Sequence, residues 1–262
     1  MVHLHQKKLG YAVLLASLAL AGLATISLAR ADHQTTPIWR PHIAQARSYA
    51  NSRSGEVAFA AIDQGGHLSG FHISETAPAA SVFKVMLLVA YLREGNQRPV
   101  SSSARALLGP MILRSDSVAA TTVRDEVGVA RIEHLARRAG MRDFQYNPIW
   151  GLSRTSPRDQ VRFMYNLESY IPRSKRAYTL YLLSHITKSQ RWGIGRVQPQ
   201  SWALFFKGGW GSGSGRVDHQ VALLKQNRQR IALAVFTQFD PDHNYGKQTL
   251  RGVAGRLLHN LK

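Results

Sequence analysis

The stretch SVFKVMLLVAYL, residues 81–92, decides the fold of this 262-residue chain. Its residues are apolar at nearly every position, so it lacks the polar stripe of a surface helix. A helix that is apolar all round lies within a core, and we therefore predict a buried central helix from Ser81 to Leu92. Lys84 stands out in it, because a buried ammonium group without a function is costly.

Ser81 and Lys84 form a Ser-x-x-Lys motif at the start of this helix, and the motif occurs nowhere else in the chain. Residues three apart share a helix face, so the amine can reach the hydroxyl. A serine is a weak nucleophile until a base takes its proton, and burial lowers a lysine pKa toward a value useful for a base. The alternative is a capping serine followed by a lysine that extends to solvent.

The segments before this helix predict a helix and a hairpin. Apolar and small residues recur at helical spacing from Ile38 to Asn51. Two strands are expected at Glu56–Ile62 and His67–Ile73, joined by a tight turn at residues 63–66 that contains two glycines.

Residues 101–189 predict a block of short helices. Interruptions are expected at Gly109-Pro110, Gly140 and Pro148. One helix has a clear start, since Ser156 can cap it and Pro157 occupies its first turn.

Beyond this block the sequence predicts three strands and a closing helix. The strands are expected at Ser201–Phe206, Val217–Leu224 and Ile231–Phe239, and the helix from about Lys247 to Leu258. The fold class is therefore α/β of the α+β kind: an antiparallel sheet of about five strands, flanked by N- and C-terminal helices, with a mostly helical insert at about residues 81–190.

A second candidate motif is Ser115-Asp116-Ser117, just before an expected helix. A second hydroxyl facing Ser81 can relay a proton to a leaving group, and Asp116 can hold the loop by accepting backbone N–H groups. Taken alone, the triplet indicates no more than a helix N-cap.

A third motif, Lys207-Gly208-Gly209-Trp210, ends the strand that starts near Ser201. The lysine can bind a substrate carboxylate, and the glycines allow substrate to approach the sheet edge. The backbone N–H of Trp210 can polarise a carbonyl group. The alternative interpretation is a flexible glycine turn.

The three motifs in this order resemble the Ser-x-x-Lys, Ser-Asp-Asn and Lys-Thr-Gly motifs of penicillin-binding proteins and class A beta-lactamases. The resemblance extends from about Glu56 to the end of the chain. It implies that Ser81 is the nucleophile and Lys84 its base. It also implies that Ser115 is a proton shuttle and that Lys207 anchors a substrate carboxylate. It also implies an oxyanion hole at the amides of Ser81 and Trp210, with Ser117 and Gly209 contacting substrate.

Several residues depart from that family pattern. Ser117 stands in place of asparagine, Gly208 replaces a hydroxyl residue, and the spacing from Ser81 to Ser115 is short for a class A enzyme. Class A enzymes carry a glutamate that activates the hydrolytic water, but residues 140–157 contain none. Their single acid is Asp143, which we expect to cap a turn, so the acyl-enzyme should hydrolyse slowly.

The N-terminus indicates export. Lys7 and Lys8 precede an apolar run and a small-residue cleavage site, so residues 1–31 are expected to be a signal peptide or a membrane anchor. Residues 32–262 are then one beta-lactamase-like domain, working outside the cytoplasm as a secreted, periplasmic or outer-face protein.

Composition limits the partners. The net charge of +19 favours an anionic cell-envelope polymer, whereas the scattered basic residues argue against a nucleic-acid partner. Cysteine is absent and the histidines lack metal-ligand spacing, so we expect no metal and no cofactor. A monomer acting on a small molecule is expected.

Three functions follow from the resemblance. The first is a serine hydrolase that opens beta-lactams or related amides and esters through an acyl-enzyme. The second is a D-Ala-D-Ala carboxypeptidase or esterase of cell-wall metabolism, favoured by the missing glutamate. The third is a non-catalytic envelope-binding relative.

Overall fold

The structure is a computed structural model that describes residues 39–93, 99–211 and 216–262. Its strands are β1 (Glu56–Ile62), β2 (Leu68–Phe71), β3 (Ala77–Pro78), β4 (Arg154–Thr155), β5 (Ala203–Gly211), β6 (Val217–Gln226) and β7 (Gln229–Gln238). Its α-helices are α1 (Ile43–Asn51), α2 (Phe83–Arg93), α3 (Ser102–Leu113), α4 (Ser117–Val127), α5 (Val129–Arg138), α6 (Pro157–Tyr165), α7 (Arg173–Ser184) and α8 (His243–Leu257).

Five strands form one antiparallel sheet in the order β2-β1-β7-β6-β5, which confirms the predicted fold class. Helices α1 and α8, from the two ends of the described chain, pack on each other and against the sheet. Strand β5 lies at one edge, so one side of its backbone pairs with no strand of this sheet. The buried stretch of β5 at residues 206–209 instead lies near the turn that carries Ser81, which contacts this strand.

Helix α2 is the centre of the core. Every residue from Phe83 to Leu92 except Tyr91 is buried, and helices α3, α4 and α5 pack around it. Ser81 lies just before it in a 3-10 turn, Ala80–Val82. The predicted helix is therefore present, with its first turn wound more tightly than an α-helix.

The predicted hairpin is also present, with β1 at its expected bounds. The Asp63 carboxylate accepts from the backbone N–H of His67 at 2.9 Å, which closes the turn. Strand β2 is shorter than expected, since it ends at Phe71 rather than Ile73. His72 follows with a φ of 50°, a conformation that a strand cannot contain.

Several other predicted element bounds differ from the observed ones. Helix α1 begins at Ile43, because Pro41 precedes it and the first helical hydrogen bond starts at the carbonyl of His42; Ile38 lies outside the described residues. Helix α3 runs through Gly109-Pro110 without a break. The free energy of burying its apolar face, including Met111 and Ile112, outweighs the backbone bond that a proline removes.

Helix α8 begins four residues earlier than expected, because Asp242 caps it by accepting from the Tyr245 N–H at 2.9 Å. Strand β5 extends through the Lys207 motif, which is therefore strand and not a glycine turn. The small sheet of β3 and β4 carried no sequence signal, because each strand has two residues.

No helix within residues 39–93, 99–211 and 216–262 is both long and apolar enough to cross a bilayer. The expected signal peptide or anchor, residues 1–31, lies outside the described residues.

Candidate active site

Ser81 is placed by a strained turn at the N-terminal end of α2. The residue before it, Ala80, has a φ of 45°, a conformation that a non-glycine residue rarely adopts. Such strain persists where the surrounding structure imposes it, and it is frequent at functional sites. Ser81 is partly exposed, whereas its neighbours on both sides are buried.

Lys84, one turn further on, is fully buried. Its Nζ donates to the carbonyl oxygen of Ser115 at 2.6 Å and contacts the Ser115 Oγ at 3.2 Å. Burial lowers the pKa of Lys84 to about 8, although the charge of Asp116 raises it in part. Among the described residues, no hydrogen bond joins the Ser81 hydroxyl to Lys84, so in this state the amine is held by Ser115.

Ser115 joins two lysines. Its Oγ lies 3.2 Å from the Lys84 Nζ and 3.0 Å from the Lys207 Nζ, and its backbone has a φ of 60°. A hydroxyl has two acceptor sites and one proton. When both lysines donate to it, Ser115 keeps its own proton available for a third group.

Lys207 enters this site from the opposite wall, on β5. It is fully buried, and its Nζ also donates to the Gly208 carbonyl oxygen at 2.8 Å. Burial, followed by the charge of Lys84, holds the pKa of Lys207 well below its usual range. Two amines that share one hydroxyl repel each other when both are charged, and an anionic ligand would relieve that repulsion.

Ser117 is the first residue of α4, and its Oγ lies 3.5 Å from the Lys84 Nζ. The helix is capped by Asp116, whose carboxylate accepts from the Ala119 N–H at 2.9 Å. The triplet therefore does cap a helix, and the hydroxyls of both its serines lie within 3.5 Å of the Lys84 Nζ.

Gly209 is the point where β5 touches the turn that carries Ser81. A Cβ at Gly209 would lie 2.7 Å from the backbone nitrogen of Ser81 and 2.8 Å from that of Val82. Only a residue without a side chain allows this approach, which brings the Trp210 end of β5 beside the Ser81 amide.

We expect Gly209→Ala to destabilise the protein by about 1–3 kcal/mol, because the new methyl group meets backbone atoms that cannot move aside. Gly255→Ala is a matched control, since it lies within α8 and its Cβ would make an ordinary 3.7 Å contact with Val197. That control should stabilise the protein by about 0.5–1 kcal/mol. Denaturant unfolding of both variants checks the pair, and equal stabilities would contradict the close approach.

Two tryptophans complete the site, and the sequence analysis did not predict either. The indole of Trp150 lies 4.8 Å from the Lys84 Nζ and donates from Nε1 to the Thr121 hydroxyl at 3.1 Å. The indole of Trp192 covers Gly208, where a Cβ would lie 3.0 Å from the ring. An aromatic ring thus fills the space that a hydroxyl side chain at position 208 would need.

Asp143 serves the structure of the loop before α6. Its carboxylate accepts from the Ser156 hydroxyl at 2.6 Å and pairs with Arg158 at 2.8 Å. With both oxygens engaged in this way, Asp143 is a poor candidate for activating a water molecule at Ser81.

The chain also resembles a known protein family in sequence and known protein structures in fold. Residues 97–261, more than half of the chain, match the Beta-lactamase enzyme family. The matched range begins after Ser81 and Lys84, so it does not include these two residues. No curated protein matches the chain in sequence.

Solved structures share the fold at low sequence identity. A beta-lactamase from Sphaerobacter thermophilus is 20% identical with a TM-score of 0.71, over 83% of this chain and 96% of that chain. The chromosome-encoded beta-lactamase of Vibrio parahaemolyticus is 14% identical with a TM-score of 0.73, over 84% and 99%. A protein named PBP-A is 17% identical with a TM-score of 0.71, over 86% and 98%.

Proposed function

This chain belongs to the beta-lactamase enzyme family, and from that premise we propose that it is a serine hydrolase that forms an acyl-enzyme on Ser81. The proposed substrates are beta-lactams or related amides and esters. The observation that carries the proposal is the hydrogen-bonded set of Lys84, Ser115 and Lys207 between α2, α4 and β5, beside the Ser81 turn. Burying two lysines around one serine hydroxyl lowers the stability of the fold, so a role in stability does not explain why both are there.

Acylation would start with proton transfer from Ser81 to neutral Lys84. The amine has to turn from the Ser115 carbonyl toward Ser81, which lies one helical turn away. The Ser81 oxygen then bonds to the substrate carbonyl carbon, and the N–H groups of Ser81 and Trp210 bind the resulting oxyanion.

Collapse of this intermediate breaks the C–N bond of an amide or lactam. Ser115 donates its proton to the leaving nitrogen and takes one from the Lys84 ammonium, so the base is neutral again at the end. Lys207 holds a substrate carboxylate through its charge, while Ser117 and Gly209 line the path of the substrate.

A D-Ala-D-Ala carboxypeptidase or esterase is the second candidate function. It is favoured by Trp150, an aromatic residue that stands beside Lys84 without any acid–base capacity, and by the engagement of Asp143 with Arg158. Neither residue supplies a base that could activate water. A penicillin would therefore acylate Ser81, and its acyl group would be released slowly.

The cellular location, the oligomeric state and the partners are also proposals. The basic apolar N-terminus supports a site outside the cytoplasm, and we propose a monomer that takes a small beta-lactam or peptidoglycan-derived substrate. The net charge of +19 supports an additional affinity for anionic envelope polymer. A non-catalytic envelope-binding relative would keep that affinity after loss of both Ser81 and Lys84.

The test is intact-mass spectrometry after exposure to benzylpenicillin. We expect a covalent adduct of one penicillin per chain, which peptide mapping places on Ser81, and its absence in Ser81→Ala. Release of D-alanine from a muramyl peptide would identify the second candidate. No adduct, no turnover of a chromogenic cephalosporin and no D-alanine release would together refute the proposal.

A further inference from the structure

His219 is a fully buried histidine beside the turn that carries Ser81, and the proposed mechanism does not use it. It lies on β6 directly opposite Gly209 of β5. Residues opposite each other on antiparallel strands point to the same face of the sheet. The imidazole therefore lies on the face where Gly209 meets the Ser81 turn.

The ring contacts this part of the chain through a hydrogen bond. The His219 Nε2 lies 3.0 Å from the carbonyl oxygen of Pro78, three residues before Ser81. The next residue, Ala79, donates its N–H to the carbonyl oxygen of Ser153 at 2.7 Å. Two anchors, one from β6 and one from the residue before β4, thus hold the chain just before the proposed nucleophile.

The surroundings of the ring indicate which nitrogen carries the proton. The backbone N–H of Thr237 donates to the His219 Nδ1 at 3.3 Å, so this nitrogen is the acceptor. The Asp218 carbonyl oxygen also lies 2.9 Å from Nδ1, but it has another donor in the Thr237 hydroxyl at 2.9 Å. That hydroxyl also contacts the Asp240 carboxyl group.

A neutral imidazole has one donor nitrogen and one acceptor nitrogen. With Nδ1 as the acceptor, the proton lies on Nε2 and is donated to the Pro78 carbonyl oxygen. Burial keeps the ring in this neutral form, because it lowers the pKa of His219 to about 4. At neutral pH the bond to Pro78 is therefore complete.

This bond matters because the turn beyond it is strained. Ala80, between Pro78 and Ser81, has a φ of 45°, and such a conformation persists only where the surrounding structure holds it. The turn sets the direction of the Ser81 hydroxyl and of the Ser81 N–H, which are the proposed nucleophile and one proposed oxyanion donor. Loss of an anchor would let the turn relax and would misplace both groups at once.

We propose that His219 is a positioning residue for Ser81, which holds the strained turn in the geometry for acylation through its bond to Pro78. The inference rests on the proposed function, because it concerns the rate of that reaction. A displacement of about 1 Å at a reacting group costs about a hundredfold in rate. Noncovalent binding should not change, because Lys207 and Ser117, the proposed substrate contacts, lie on other elements.

The test compares two replacements of His219 in the full chain. His219→Phe keeps a ring against Phe236, whose centroid lies 4.2 Å from that of the imidazole, but removes the donor. His219→Gln keeps an N–H donor close to the position of Nε2. Timed adduct formation at several benzylpenicillin concentrations separates the first-order acylation rate from the dissociation constant of the noncovalent complex.

We expect His219→Phe to lower the acylation rate about a hundredfold at an unchanged dissociation constant, and His219→Gln to recover at least about tenfold of it. If His219→Phe does not fold, His219→Asn replaces it, since the shorter amide ends near the position of Nδ1 and cannot reach Pro78. A folded variant without the donor that acylates at the wild-type rate would overturn the inference.

Thr179→Val is the matched control. The Thr179 hydroxyl is also fully buried and donates to a backbone carbonyl, that of Lys175 on α7, at 3.1 Å. Its replacement removes a comparable buried hydrogen bond and should leave both constants at their wild-type values. Equal slowing in Thr179→Val and His219→Phe would assign the effect to lower stability and would also overturn the inference.

A further measurement needs no substrate. Nitrogen-15 NMR of the histidine rings at pH 7 should show a proton on the His219 Nε2 and none on its Nδ1, with the signals identified by their loss in His219→Gln. A proton on Nδ1 would contradict the bond to Pro78. Absence of a penicillin adduct from the wild-type protein would refute the proposed function and this inference together, whereas a wild-type adduct with normal acylation in His219→Phe would refute the inference alone.

Discussion

We expect replacement of Lys84 by methionine to lower the proposed rate at which benzylpenicillin acylates Ser81 by about a thousandfold, within the range that a general base contributes. Methionine fills nearly the same buried volume as the lysine, so the core around α2 stays packed. What is lost is the amine that contacts the Ser115 hydroxyl and that we propose takes the Ser81 proton and returns it through Ser115. The adduct is followed by intact-mass spectrometry at timed intervals.

The same amine sets the expected pH dependence. Because the pKa of Lys84 lies at about 8, its neutral and reactive fraction grows as the pH rises through that value. The acylation rate should therefore increase about tenfold from pH 7 to pH 9 and then level off. Lys84→Met should remove this rise.

Lys175→Met is the matched control for this variant. Lys175 is also buried, but its Nζ donates to the Leu92 carbonyl oxygen at 2.8 Å, at the other end of α2. Its replacement should lower stability and leave the pH profile of acylation in place. A Lys84→Met protein that acylates at the wild-type rate would show that Lys84 is not the base.

The fold was predictable where the signal was local. The apolar run of α2, the glycine turn after β1 and the cap of α6 at Ser156 all depend on residues close in sequence. The continuation of α3 through Gly109-Pro110 could not be predicted in this way, because it is stabilised by packing against other helices. Local breaker rules fail where tertiary packing supplies the larger free energy.

The residues of the candidate site were also predictable only where they belong to a local sequence motif. The three motifs were recognised by residue type and order, and the structure brings Lys84, Ser115 and Lys207 into hydrogen-bond contact. Trp150 and Trp192 had no such signal, since each lies outside a regular helix or strand pattern. Their contacts with Lys84 and Gly208 depend on how separate segments pack.

The acids beside Trp210, namely Asp218, Asp240 and Asp242, could not be grouped together from the sequence. In sequence, Asp218 is a strand residue and Asp242 a turn residue next to a histidine, and nothing in the spacing joins them to Asp240. The antiparallel pairing of β6 with β7 and the packing of α8 place them around one cavity. Sheet register, which sequence patterns do not determine at this detail, therefore decides whether such residues lie together.

A glutamate in place of Trp150 should convert slow release of the penicillin acyl group into faster hydrolysis. The Trp150 ring lies 4.8 Å from the Lys84 Nζ and packs against Phe83 with centroids 6.5 Å apart, so a carboxylate there would face the same space as the amine. We expect release about a hundredfold faster than in Trp150→Gln, which has the same shape without the base.

The same carboxylate should raise the pKa of Lys84 and slow acylation near neutral pH, so the two steps move in opposite directions. Formation and loss of the adduct are measured separately, by mixing with excess penicillin and by following the mass after its removal. If Trp150→Glu and Trp150→Gln release the acyl group at the same rate, the absence of a base beside Lys84 is not what limits hydrolysis.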